Sequence, residues 1–252
     1  MNSTVLITGA TSGIGKATAE RLAIEGCRLI ITGRREGLLL ELKGKLEDKY
    51  KAEVLALCFD LRDREAVEKN LGKLPKEWAE VDVLVNNAGL AVGLAPIQEG
   101  IIDDWERMID TNIKGLLYVT RCIVPGMAAR RHGHIVNLGS IAGREVYPGG
   151  NVYCATKHAV NALSQGMRMD LLPYGVKVTQ ICPGAVETEF SLVRFKGNKE
   201  RAAQVYEGFE PLCAADVADA IYFALSAPEH VDVQDLLLMA KAQASSGLFH
   251  KE

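Results

Sequence analysis

Three glycines stand between a short apolar run and a helical stretch, where they could bind a phosphate. The run Thr4–Thr8 is apolar and β-branched, which is typical of a buried strand. Gly9, Gly13 and Gly15 follow, and Lys16–Glu25 then has helical spacing. A strand, a glycine turn and a helix direct free backbone N–H groups and the positive end of the helix dipole at one point. Because a second apolar strand follows the helix, this order favours a dinucleotide phosphate site over a merely tight turn.

Two arginines after the second strand suggest which dinucleotide would bind. A site for NAD usually carries an acidic residue here for the ribose hydroxyls, but this chain has Arg34 and Arg35 after the strand Arg28–Thr32. A planar guanidinium pairs well with phosphate, so these residues suit the additional 2′-phosphate of NADP. We predict NADP, with NAD as the less favoured alternative. A solvated basic turn followed by Glu36 is the simpler interpretation.

Tyr153 and Lys157 could together remove a proton from an alcohol. The pKa of a free tyrosine lies near 10, too high for a good base at neutral pH. A lysine four residues further along a helix lies on the same face, and its charge favours the phenolate. Ser140 follows the strand His134–Leu138 closely, so its hydroxyl could bind the substrate oxygen at the carboxyl edge of the sheet. Each residue taken alone could equally be an ordinary helix or cap residue.

The chain alternates between apolar strands and helices, which indicates a parallel sheet covered on both faces. Further strands are predicted near Glu53–Cys58, Val81–Val85, His134–Leu138, Lys177–Ile181 and Asp235–Leu238. Further helices are predicted near Glu36–Lys49, Asp63–Leu71, Asp103–Ala129, Val152–Leu172 and Ala214–Leu225. Since no linker or repeat interrupts the series, we predict an α/β fold with a single doubly wound domain over residues 1–252. Residues 185–210 are polar and are placed to form a lid over a ligand.

The composition excludes several classes of protein. With 48% hydrophobic residues among 252, the chain can form a large core, which argues against disorder. A net charge of −3 argues against a large surface for nucleic acid or anionic lipid. The six cysteines are scattered, and we expect no disulfide framework, no membrane span and a cytoplasmic location. His132 and His134 have no third ligand nearby in the sequence, so no metal is expected.

Six groups of residues form an ordered set along the chain. They are Thr8-Gly9-x-x-x-Gly13-x-Gly15, Asn86-Asn87-Ala88-Gly89, Asn112, Ser140, Tyr153-x-x-x-Lys157 and Pro183-Gly184. In this order they resemble the short-chain dehydrogenase/reductase family. A closer resemblance, to the NADP-dependent 3-hydroxy acid (serine and allo-threonine) dehydrogenase branch, is carried by Thr32-Gly33-Arg34-Arg35, Leu74-Pro75-x-Glu77-Trp78, Ile109-Asp110-Thr111-Asn112 and Val193-Arg194-Phe195-Lys196-Gly197. The resemblance implies a Rossmann-type domain with a seven-stranded parallel sheet and an NADP-dependent oxidoreductase.

The resemblance also implies roles for individual residues. Ser140, Tyr153 and Lys157 would be catalytic, and Asn112 would fix a water for a proton relay through Lys157. The cofactor would be held by Gly9, Thr11, Ser12, Gly13 and Ile14 at the pyrophosphate, Arg34 and Arg35 at the adenosine phosphate, Asp60 and Leu61 at the adenine, Asn87, Ala88 and Gly89 beneath the ribose, Tyr153 and Lys157 near the nicotinamide ribose, and Pro183, Gly184, Val186 and Thr188 at the nicotinamide.

The substrate is less determined than the cofactor. A 3-hydroxy acid requires a cation for its carboxylate, and Arg194 with Lys196 in the predicted lid, or Arg144 near Ser140, could supply it. All three could equally be solvated charges. Where the branch has a small residue and tryptophan, this chain has Arg144-Glu145.

Three functions therefore stay open. They are a dehydrogenase for serine, allo-threonine or 3-hydroxyisobutyrate, a carbonyl reductase for another small ketone, and a non-catalytic dinucleotide sensor on the same fold. The resemblance further implies a homotetramer packed through the helices Asp103–Ala129 and Val152–Leu172. The tail Met239–Glu252 is expected to reach a neighbouring subunit or the mouth of the substrate site.

Overall fold

Seven strands form one parallel sheet in the structure, a computed structural model that describes residues 3–252. They are β1 Thr4–Ile7, β2 Arg28–Gly33, β3 Val54–Cys58, β4 Val83–Asn86, β5 His134–Leu138, β6 Lys177–Pro183 and β9 Asp235–Leu238. Two short strands, β7 Val186–Glu187 and β8 Leu212–Cys213, pair separately. The order in the large sheet is β3-β2-β1-β4-β5-β6-β9. The predicted doubly wound α/β domain with seven parallel strands is confirmed.

Helices cover both faces of this sheet. They are α1 Gly13–Ile24, α2 Glu36–Tyr50, α3 Arg64–Leu71, α4 Ile102–Ile109, α5 Leu116–Arg130, α6 Asn151–Leu171, α7 Glu189–Arg194, α8 Lys199–Gln204 and α9 Ala214–Ser226. Within residues 3–252, no helix combines the length and the apolar composition that crossing a membrane requires.

The alternation of side chains along each strand divides the core into two layers. In β1, Val5 and Ile7 pack in the layer beneath α1, α2 and α9, while Leu6 packs in the layer beneath α3, α5 and α6. Both layers are buried, which explains why the strand sequences are continuously apolar and not alternating. The burial of large aliphatic side chains on both faces fixes the sheet as a rigid base for the loops at its carboxyl edge.

The predicted helix Asp103–Ala129 is interrupted in the structure. A π-helical segment, Asp110–Gly115, lies between α4 and α5. A Cβ atom at Gly115 would lie 1.6 Å from Leu61 Cδ1, so a larger residue here would displace the Leu61 side chain of the loop after β3. The wider turn places the Asn112 side chain inward. Such segments are frequent at functional sites, and the helical sequence pattern does not distinguish them from a regular helix.

The segment 185–210 is more ordered than its polar composition suggested. It contains β7, α7 and α8, and each of the two helices begins with a side-chain cap. Thr188 Oγ1 accepts from the Phe190 N–H at 3.2 Å, and Asn198 Oδ1 accepts from the Arg201 N–H at 2.9 Å. These short helices lack the length for a clear hydrophobic period, which is why the sequence pattern did not predict them.

Candidate active site

The site lies where the strand order changes direction. From β1 the chain continues to β2 and β3 on one side, whereas β4, β5 and β6 lie on the other, so a crevice opens at the carboxyl ends of β1 and β4. A cleft of about 410 Å³ lies in this crevice. Every residue that the sequence assigned to a cofactor lines it: Gly9, Thr11, Ser12, Gly13, Ile14, Arg34, Arg35, Asp60, Leu61, Asn87, Ala88, Gly89, Tyr153, Lys157, Pro183, Gly184, Val186 and Thr188.

The glycine turn is tied to the loop after β4. Asn87 Nδ2 donates to the Thr8 carbonyl at 2.8 Å and to the Gly9 carbonyl at 3.2 Å. In return, Thr8 Oγ1 accepts from the backbone N–H groups of Asn87 and Ala88 at 3.1 and 3.0 Å. These bonds join the two edges of the crevice, so Asn87 has a structural function even without a ligand.

Glycine is required in the turn for two separate reasons. Gly9 has a φ of +67°, which other residues rarely adopt, and a Cβ atom at Gly15 would lie 2.5 Å from the Gly9 carbonyl oxygen. Helix α1 begins at Gly13, inside the turn and not at Lys16, and Ser12 provides no side-chain cap. The first N–H groups of α1 therefore remain available, and this cradle fits a phosphate group.

Both arginines after β2 lie at the far end of the cleft. Arg35 donates to Ser12 Oγ at 2.8 Å and to Thr11 Oγ1 at 3.1 Å, and it pairs with Glu189 at 2.9 Å. Arg34 lies 3.5 Å from Asp60, whose carboxylate is bound at both oxygens by Arg62. Burial opposes the ionisation of Asp60, but the bonds from Arg62 outweigh it and lower its pKa. Half-exposed guanidiniums at this place suit an anionic group.

Ser140, Tyr153 and Lys157 meet at the other end of the cleft. Ser140 follows β5, and its Oγ accepts from the Ala142 N–H at 3.1 Å. Tyr153 and Lys157 lie on one face of α6, and their side chains are 8% and 7% exposed. The Lys157 ammonium donates to the Leu138 carbonyl at 2.7 Å, which ties α6 to the end of β5.

Burial dominates the ionisation of the tyrosine and the lysine. It raises the pKa of Tyr153; Tyr147 adds to the shift, and the Ser140 hydroxyl and the Arg194 charge oppose it. It lowers the pKa of Lys157 to about 8. The protein groups alone therefore keep Tyr153 as a neutral phenol. Lys157 was expected from the sequence to lower the pKa of Tyr153, but that requires additional positive charge beside the phenol.

Asn112 lies behind the cleft and not in its lining. Its Oδ1 accepts from the Leu90 N–H at 2.8 Å, and its Nδ2 donates to the Leu90 carbonyl and to Thr156 Oγ1 at 2.8 and 3.0 Å. Both amide hydrogens are thus used within the protein. The predicted role of Asn112 in holding a relay water stays a prediction.

A second cavity, of about 240 Å³, adjoins the cleft at Tyr153. Arg194 and Lys196 line it from the segment 185–210. Arg194 Nη2 donates to the Tyr147 hydroxyl at 2.8 Å, whereas its Nε atom is buried without a hydrogen-bond partner among the described residues. Lys196 pairs with the buried Asp104 at 2.7 Å.

Arg144 and Glu145 line neither cavity. Arg144 forms an ion pair with Asp235 on β9, and Glu145 accepts from the Ser246 N–H at 2.7 Å. The structure therefore does not bring Arg144 into the lining of the cleft with Ser140, and its predicted contact with substrate has no support in the lining of either cavity.

Four residues of the site were assigned no role from the sequence, although Thr8 and Thr111 lie within its motifs. Thr8 and Tyr147 make the bonds described above, while Phe190 packs on Tyr153 with ring centroids 5.7 Å apart. Thr111 lines the cleft next to the buried Asn112. Tyr147 could have been found as a tyrosine in a glycine-rich loop before Tyr153, but the other three depend on tertiary contacts.

The fold and the site together define a Rossmann-type α/β protein in which a glycine cradle leads to a serine, a tyrosine and a lysine. The family model for short chain dehydrogenase matches residues 3–199. The chain belongs to the short-chain dehydrogenase family and is therefore an oxidoreductase, which confirms the resemblance carried by its sequence motifs.

Similar proteins cover nearly the whole chain. The NADP-dependent 3-hydroxy acid dehydrogenase YdfG of Escherichia coli (strain K12) is 47% identical over 246 residues, which are 97% of each chain. The serine 3-dehydrogenase of Agrobacterium fabrum is 44% identical over 98% of this chain and 97% of its own. A closed form of serine dehydrogenase complexed with NADP⁺ superimposes with a TM-score of 0.92 at 46% identity, covering 99% of this chain and 100% of that one.

Proposed function

We propose that this protein is an NADP-dependent dehydrogenase for the 3-hydroxyl of a small 3-hydroxy acid, of the serine, allo-threonine or 3-hydroxyisobutyrate type. The observation that carries the proposal is the meeting of two cavities at Tyr153. The cleft with the glycine cradle lies on one side, and the cavity with Arg194 lies on the other. The names of the relatives at 47% and 44% identity support the same substrate class.

The residues of the cleft fit NADP along its length. The glycine cradle and the first turn of α1 would hold the pyrophosphate, and Arg34 with Arg35 would hold the 2′-phosphate. Asp60 and Leu61 would border the adenine, and residues 183–188 would lie against the nicotinamide. When bound, the oxidised cofactor supplies the hydride acceptor and a positive charge near the phenol.

The protein handles the proton of the alcohol. Ser140 Oγ accepts from a backbone N–H and its hydroxyl acts on the Tyr153 phenol, so its hydrogen points to the place where a substrate oxygen would bind. Tyr153 takes the hydroxyl proton as its phenolate, which surrounding positive charge must first stabilise. Lys157 still carries its charge at pH 7, because its pKa is about 8, and so it can contribute to that stabilisation. Asn112 fixes this region of the site through Leu90.

The substrate carboxylate is assigned to Arg194. Its buried Nε has no acceptor within the part of the chain that the structure describes, and a buried donor without an acceptor is costly. A carboxylate would provide the acceptor as a charge-assisted bond. The segment around α7 and α8, which carries Arg194, acts in this proposal as the lid over the substrate.

The experiment follows reduced nicotinamide by its absorbance, with NADP or NAD and a panel of 3-hydroxy acids. Each acid is paired with its methyl ester, which keeps the hydroxyl but lacks the charge. Tyr153→Phe tests the base, and Tyr174→Phe, at an exposed tyrosine, is its control. We expect turnover of the acids with NADP, weak turnover of the esters, and loss of about a thousandfold or more in Tyr153→Phe.

Three results would contradict the proposal in different ways. Equal turnover of acids and esters would indicate a carbonyl reductase for another small ketone. Tight binding of NADP without turnover of any substrate would indicate the dinucleotide sensor. A preference for NAD would mean that Arg34 and Arg35 do not recognise the 2′-phosphate.

We also propose that the protein is a cytoplasmic homotetramer. Exposed apolar side chains on the long helices support association, including Leu117 of α5 and Met169 of α6, which are 39% and 73% exposed. The six free cysteines are compatible with a reducing compartment. Light scattering on a size-exclusion column would measure the mass, and a monomer would exclude the assembly.

A further inference from the structure

The end of the chain forms a small hairpin beside the site. The backbone of Gln243 pairs with that of Phe249 in an antiparallel bridge, and the His250 N–H donates to the Ala242 carbonyl at 2.8 Å. Ser245 caps the turn, where its Oγ accepts from the Leu248 N–H at 3.1 Å. The hairpin follows β9, so it lies at the carboxyl edge of the sheet, next to the end of β6.

One side chain of this hairpin contacts the segment that follows β6. Gln243 is 6% exposed, and its Oε1 accepts from the Ala185 N–H at 2.8 Å. A Cβ atom at Gly184 would lie 2.3 Å from that oxygen, so the hairpin and the segment touch with no space between them. Gly184 and Val186, which flank Ala185, line the cleft on the side proposed for the nicotinamide.

Two contacts at its ends hold the hairpin in place. At the turn, Glu145 accepts from the Ser246 N–H at 2.7 Å, and Glu145 lies in the same loop as Ser140. At the other end, Phe249 packs on Phe209 with ring centroids 4.9 Å apart. The hairpin therefore connects the loop that carries Ser140, the segment after β6 and the end of the segment 185–210.

We propose that Gln243 is a positioning residue for hydride transfer: by binding the Ala185 N–H it fixes residues 183–186, against which the nicotinamide lies, and Glu145 fixes the hairpin that presents Gln243. This inference rests on the proposed NADP site. It assigns to Glu145 a function in holding the chain end and not in contacting substrate.

The test distinguishes an effect on the nicotinamide end of NADP from an effect on binding of the remaining part of the cofactor. Gln243→Leu removes the acceptor, Gln243→Glu retains one, and Lys241→Ala changes an exposed residue of the same tail as a control. Affinities for NADP and for 2′-phospho-ADP-ribose, which lacks the nicotinamide, are measured by calorimetry beside kcat and the unfolding temperature. We expect Gln243→Leu to lose about tenfold in kcat and in NADP affinity, since the part-buried Ala185 N–H loses its acceptor, while its affinity for 2′-phospho-ADP-ribose is unchanged. Gln243→Glu keeps the acceptor but loses the bond that Gln243 Nε2 donates to the Ser245 carbonyl at 3.1 Å, so it should recover part of the loss.

The other possible results also decide whether Gln243 is a positioning residue. Wild-type values in Gln243→Leu, or an equal loss of affinity for both ligands, would overturn the positioning role. If Gln243→Leu does not fold, Glu145→Ala replaces it. We then expect smaller losses of kcat and of NADP affinity with unchanged affinity for 2′-phospho-ADP-ribose, and wild-type values would overturn the inference. Failure of the wild-type protein to oxidise any 3-hydroxy acid would instead contradict the proposed substrate, and the two affinities would still test Gln243.

Discussion

Arg194 donates from Nη2 to the Tyr147 hydroxyl at 2.8 Å, so a residue of the segment 185–210 is oriented by a residue of the loop before α6. The same guanidinium lies 5.8 Å from the centre of the Tyr153 ring. Among residues 3–252 the buried Nε of Arg194 has no hydrogen-bond partner, so it remains available to an acceptor in the cavity that Arg194 lines.

Tyr147→Phe should weaken the binding of 3-hydroxy acids more than it slows their oxidation. Loss of one hydrogen bond to a charged group leaves Arg194 less well oriented, and we expect KM for the acid to rise about tenfold with a smaller change in kcat. Steady-state kinetics on an acid and its methyl ester would measure this. A similar rise in KM for the ester would show that Tyr147 does not act through the carboxylate.

Lys157→Met should make the cofactor-free protein more stable and inactive. Folding lowers the pKa of Lys157 from 10.5 to about 8, so its charged form is disfavoured in the folded state at every pH below 8. That corresponds to about 3 kcal/mol at pH 7, from which loss of the bond to Leu138 subtracts about 1 kcal/mol. Urea unfolding should show a gain of about 2 kcal/mol at pH 7 that decreases as the pH rises from 8 to 10.5. A less stable variant at pH 7 would contradict the electrostatic account.

Arg34→Ala and Arg35→Ala should each impair binding of NADP selectively. A guanidinium bond to phosphate contributes about 2 kcal/mol, so each change should weaken the binding of NADP by about tenfold or more. The binding of NAD should be nearly unaffected in Arg34→Ala and weakened less than that of NADP in Arg35→Ala, because Arg35 also holds Thr11 and Ser12. Calorimetric titration with both dinucleotides would measure the ratio, and Arg64→Ala, at an exposed arginine of α3, is the control. If the affinities for NAD and for NADP fall equally, the arginines do not recognise the 2′-phosphate.

His134 should make the fold sensitive to acid. Burial lowers its pKa from 6.5 to about 3, and its Nε2 lies 2.8 Å from Thr179 Oγ1, which itself donates to the Val233 carbonyl. The neutral imidazole is therefore favoured in the folded state, and its contribution is complete above pH 6.5 and is lost as the pH falls toward 3.

Urea unfolding at pH 6.5 and pH 5 would test this sensitivity. The wild-type protein should lose about 2 kcal/mol from His134 over this interval. His134→Leu should show a flatter dependence, and His230→Leu, at an exposed histidine, is the matched control. Equal slopes in all three proteins would exclude His134 as the cause.

The parts of this protein that the sequence predicted are those set by local pattern. Continuous apolar runs predict the strands and a period of 3.6 residues predicts the helices, so the sequence indicates in which order they follow one another along the chain. The glycine cradle, Ser140, Tyr153 and Lys157 could be found because each stands at a fixed place relative to a strand end or along one helix face.

Only the tertiary structure decided which distant residues meet. Arg144 pairs with Asp235, 91 positions away, and Gln243 binds Ala185, 58 positions away. No spacing in the sequence encodes such contacts, since they depend on how loops from separate strands pack at one edge of the sheet. The same holds for the π-helical turn at Asn112 and for the orientation of Arg194, where a glycine against Leu61 and the Tyr147 hydroxyl set the geometry.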